Sequence, residues 1–263
     1  MSERAEAWRA ASAAVADMAV KACRDDAGDT HWPSVVAALG VLTGEAALIA
    51  CERELPVQGP VLSQKANALF YDETESPATL SGYLRQAMIQ GMGMPPAAAP
   101  DPVHALRRVV ASVGAKPFPP LPPDPAHWPR FWPLNAGPRL RRNAHAVMAS
   151  HGLKRHEAMF ALNGALVAGI LRARASMPLT AAAMVGLEAM AAALRWAPQI
   201  EEALEEDLAY RPAGAPPVTL LSTEQLWGGL GGPEFEEAGG DPALSGENDQ
   251  DATPKRAFGR RRG

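Results

Sequence analysis

The sequence predicts an all-α fold: an alanine-rich helical bundle in two sequential halves joined by a proline-rich strap, with an acidic, largely disordered C-terminal tail. Three observations carry that reading. About 50 of the 263 residues are alanine, the strongest helix former, whereas Val, Ile, Tyr and Phe are sparse. Apolar residues recur at spacings of three and four. Nine prolines crowd residues 116–138, and beyond residue 210 the chain turns rich in Gly, Pro and acid.

Taken in order, residues 3–23 place Trp8, Ala11, Val15, Met18 and Ala22 on one helical face. Asp25 to Asp29 break that helix. Pro33 is pre-set for the first turn of a second helix, which carries Val35, Leu39, Leu42, Ala46 and Ile49 and runs to about Leu55. Residues 60–76 show no decisive period and read as irregular. Pro77 opens a helix with Leu80, Leu84, Ala87 and Met88, and a short helix over 102–114 completes an N-terminal half spanning 1–115.

Residues 116–138 form the strap. Fixed φ values favour extended chain, and Phe118, Trp128, Phe131 and Trp132 make it too aromatic for a bare spacer, so it is expected to lie on a helical surface. The C-terminal half, 139–210, holds a helix from Pro138 to His151, a turn at Gly152, a helix from Lys154 to Ala175 and another from Pro178 to Ala197. The last two form the expected core hairpin, and an acidic helix follows Pro198. The apolar run at 158–171 is about 14 residues, short of the roughly 20 that span a bilayer, so no transmembrane segment is expected.

The formal net charge of -4 conceals a strong pattern: residues 1–100 carry -5, 101–197 carry +8, 198–254 carry -12, and the last nine carry +5. Glu3, Glu6 and Asp17 sit where a signal peptide needs an apolar run, and Cys23 and Cys51 suggest reduced, packed thiols. Both point to a cytoplasmic location. The Ala, Arg and Pro bias is of bacterial type.

Catalytic and cofactor motifs are absent from the sequence. There is no GxSxG elbow, and Gly91 and Gly93 precede prolines rather than a phosphate-binding helix, so no cofactor is expected. His145, His151 and His156 lie six and five apart, whereas a helical metal pair needs three or four. No metal site is expected either. Glu45, Glu157 and Glu188 lack an accompanying ExxH, and the apolar surroundings of Glu45 and Glu188 imply pairing with arginine.

Two features suggest partners. Arg139, Arg141, Arg142, Lys154 and Arg155 surround a helix-glycine-helix corner, a cationic patch suited to phosphate or an acidic protein. The helix after Glu157 is too apolar to read bases. Within the tail, 211–263, an apolar island at 218–230 contains Leu220, Leu221, Leu226, Trp227 and Leu230, and either docks on its own domain or folds on a partner. Self-docking is the favoured expectation, because exposed Trp and Leu promote aggregation.

The leading functional expectation is therefore a non-enzymatic cytosolic adaptor or regulatory protein with a protein partner, binding through Arg139, Arg141, Arg142, Lys154, Arg155, Leu226, Trp227 and Leu230. One alternative is nucleic-acid association through the basic 101–197 region, restrained by the acidic arm. Another is an enzyme whose site assembles from scattered residues, which requires Glu45, Glu157 and Glu188 to converge. A Gly/Ala helix face serves an internal contact or a homo-oligomer equally well.

Overall fold

Local chemistry places the helix boundaries in the computed structural model, which describes residues 3–74, 76–115, 117–199, 220–222 and 226. These all belong to one unit, residues 1–231. The acidic helix expected after Pro198 and most of the tail lie outside the described residues. Among the described residues there are eight α-helices: α1 Glu3–Ala22, α2 Trp32–Cys51, α3 Gln64–Phe70, α4 Leu80–Gln86, α5 Pro102–Ser112, α6 Ala136–Ser150, α7 Arg155–Ala173 and α8 Leu179–Ala193. Two three-residue strands, β1 Glu54–Pro56 and β2 Leu220–Ser222, pair antiparallel. The fold is all-α.

Side-chain caps start several helices. Thr79 accepts from the Gly82 amide at the head of α4, and Asp101 accepts from the Val103 amide with Pro102 next in line, opening α5. At α7 the Glu157 carboxylate reaches back to the Lys154 amide, 2.8 Å away. Residues 64–70, expected to be irregular, form α3 because Ser63 accepts from the Ala66 amide and supplies a start signal that periodicity misses.

The core centres on α2. Every residue from Pro33 to Ile49 is buried, not only the expected stripe, because α6, α7 and α8 all pack against this helix. By length and mean hydropathy α2 could cross a bilayer, yet 89% of its apolar window is buried inside the bundle. It ends at Cys51, four residues before the expected Leu55, and the chain turns into β1. The α7–α8 hairpin supplies walls around α2 rather than the centre. Helices from both sides of the strap thus share one core.

Close approach is greatest between α2 and α8. A Cβ on Gly40 would stand 2.5 Å from the Gly186 carbonyl oxygen and 3.0 Å from the Ala189 Cβ, so here the two backbones touch. Polar ties join the remaining layers: Ser12 on α1 donates to the Ala161 carbonyl at 2.8 Å, and the Asn163 amide on α7 donates to the Leu80 carbonyl at 2.9 Å. Asn163 interrupts the apolar run in order to pin the head of α4.

Candidate functional site

The three glutamates do not converge. Glu45 accepts two bonds from Arg141, at 3.0 and 3.1 Å, and Arg141 also donates to the Gln199 carbonyl at 2.8 Å. Burial drives the Glu45 carboxyl above its ordinary range, against the pull of Arg141. Glu157 pairs with Arg4. Burial pushes it upward too, but bonds from Arg4 and the Lys154 amide outweigh that and hold it low. Glu188 faces a third arginine, Arg108, at 3.2 Å. Each carboxylate is thus assigned to its own cation, as the apolar surroundings of Glu45 and Glu188 imply, and no shared acid-base centre forms.

The histidines are equally dispersed: His145 is buried on α6, His151 is half-buried and His156 is exposed. Among the described residues no three His, Cys, Asp or Glu side chains are grouped as metal ligands.

The basic corner is smaller than its sequence suggests. Arg139 and Arg142 are exposed in the first half of α6, roughly 15–20 Å along the helix from the Gly152 turn, whose φ of +66° closes α6, and Lys154 is exposed just beyond that turn. Arg141 and Arg155 are buried, each 8% exposed, and the partner-facing reading is corrected for both. On an α-helix Arg139 and Arg142, three residues apart, share one face, whereas Arg141 lies about 100° round from Arg142 and about 160° from Arg139, so the three cannot point the same way. Arg141 turns inward to neutralise Glu45.

The tail island returns to its own domain. Leu220, Leu221 and Ser222 pair with Pro56, Leu55 and Glu54, and Leu226 is 5% exposed within the common core. Leu226 therefore occupies its own domain in this structure, and the expectation that it faces a partner is corrected. Trp227 and Leu230 lie outside the described residues. The receiving segment serves twice: the Val61 amide donates to the Arg195 carbonyl and the Ala197 amide to the Gly59 carbonyl, both at 2.8 Å. Gly59, at φ +100°, turns the chain between these pairings.

Residues 54–61 thus form a landing edge for the chain after α8, a site that sequence reading missed. Its signal is faint: Pro56 and Gly59 mark only a break after α2. No family model matches the chain, and neither curated proteins nor solved structures yield a match.

Proposed function

We propose that the protein is a non-enzymatic cytosolic adaptor or regulatory protein whose own tail segment occupies, and exchanges from, a peptide-docking edge at residues 54–56. One observation carries this reading: among the described residues, 220–222 are held by a three-residue ladder with Leu221 against the core, and Leu226 is inserted into it. A ladder that short is marginal by itself, so the seated segment competes at modest cost with an extended apolar strand from a partner. The separate assignments of Glu45, Glu157 and Glu188 support a binding role over catalysis. With two of its five cations turned inward, the basic corner offers less support for nucleic-acid association.

A labelled peptide of residues 218–230 titrated into the full chain tests this by fluorescence anisotropy. Saturable binding is expected. A Leu226→Asp peptide should bind about tenfold to a hundredfold more weakly, the value of one buried leucine. A chain carrying Leu226→Asp should capture the normal peptide more tightly than the native chain, because its resident competitor is weakened. Failure of that variant chain to bind the peptide removes the proposal.

A further inference from the structure

The strap covers a buried acid. Pro120, Leu121, Pro122 and Pro129 lie over Glu188 and Ala189 of α8 and enclose a small cavity between them. The Glu188 side chain is 5% exposed, and its Oε1 has no hydrogen-bond partner. Arg108 of α5 joins the two layers: one guanidinium nitrogen stands 3.2 Å from that same Oε1, an ion pair without the alignment of a hydrogen bond, and the other donates to the Leu121 carbonyl at 2.8 Å. At its ends the strap is anchored elsewhere, with Phe118 against Trp196 (ring centroids 5.2 Å apart) and the Arg130 amide donating to Ser34 Oγ at 2.9 Å. Between those anchors prolines contribute no amide donors, so residues 119–122 rest on apolar contact, on Arg108 and, within the strap itself, on the Trp128 indole N–H that donates to the Pro122 carbonyl at 2.8 Å.

We infer that residues 119–122 are a proton-linked lid: lifting them admits water to Glu188, the carboxyl gives its proton to that water, and Arg108 lets go of the Leu121 carbonyl. Burial pushes the covered carboxyl up to about 7, despite Arg108, whereas an uncovered one returns toward its ordinary 4.5. The open form binds the proton more weakly, so opening is favoured as pH rises between those values and levels off above them. The groups facing Glu188 are few. Helix α5 presents Arg108, α2 presents Ala37, and the 3-10 turn Pro125–His127 beside α8 brings His127, 3.8 Å from Asp124. Arg108 is the charged group that acts on Glu188.

Hydrogen exchange at the Leu121 amide, the one backbone N–H within residues 119–122, read in the full chain and corrected for its intrinsic rate, tests the lid. Between pH 5.5 and 8.5 its protection should fall roughly thirtyfold. Glu188→Gln, neutral and of the same shape, should hold protection level across that range. Arg108→Met should lower protection throughout and move the midpoint to higher pH, because the cation that favours the carboxylate is gone. A level profile in the native chain overturns the lid. The same fall in Glu188→Gln also overturns it, and an unmoved midpoint in Arg108→Met contradicts the role given to Arg108.

Discussion

Arg141→Met should destabilise the protein by about 3–5 kcal/mol, the usual cost of leaving one partner of a buried ion pair uncompensated. Glu45 has no route to water: its side chain is 4% exposed, and a Cβ on Gly137 would stand 2.6 Å from its Oε2, so α6 closes directly over the carboxylate. Without Arg141 the acid must take up a proton to stay buried. The loss should therefore shrink as pH falls, since burial already raises this group and removing the cation raises it further. Urea unfolding at pH 5 and pH 8 reads both effects. The double variant Glu45→Met, Arg141→Met should recover most of the stability, because apolar replacement of the whole pair leaves no buried charge. Equal loss in the double variant would mean that the pair contributes more than mutual neutralisation.

Gly40→Ala should destabilise the bundle. A helix interior normally gains about 1 kcal/mol on replacing Gly by Ala. Here the new methyl meets the Gly186 carbonyl and the Ala189 Cβ, groups fixed on a neighbouring helix that has no side-chain rotamer to yield. Overpacking of this kind costs about 1–3 kcal/mol, so against that gain the net change should be a loss of up to about 2 kcal/mol. Gly91→Ala is the control: its Cβ meets nothing within 4 Å, and thermal unfolding should be unchanged or slightly raised. Comparable stability of the two variants would show that α2 and α8 can separate without penalty.

Much of the fold is legible in the chain itself, for reasons that particular residues make clear. Ala11 and Val15 are buried where the α1 stripe places them, and Asp101–Pro102 announces α5. Periodicity describes one face at a time, so it understates α2, whose small and apolar residues let helices close on every side. It does not tell which helices meet. Gly40 and Gly186 are compositional until their backbones are found in contact.

The candidate site is less legible. Apolar surroundings require that Glu45 and Glu188 be neutralised, yet only the fold selects Arg141 and Arg108 among the arginines. Strands β1 and β2 are three residues each and lie far apart in sequence, too short for alternation to register. The leucines of the island do signal burial. They do not say against what.

That docked segment is the basis of the functional proposal, and locking it in place tests the proposal most directly. Glu54 and Ser222 are register partners across β1 and β2, so cysteines at these positions can join the segment to its edge. Cys23→Ala and Cys51→Ala remove the native thiols, and Glu54→Cys with Ser222→Cys installs the bridge. The measurement is capture of labelled 218–230 peptide by this chain, oxidised and then reduced. Capture should be absent while the bridge is closed and return, saturable, once it is reduced; equal capture in both states would place the peptide elsewhere and contradict an exchangeable edge at residues 54–56.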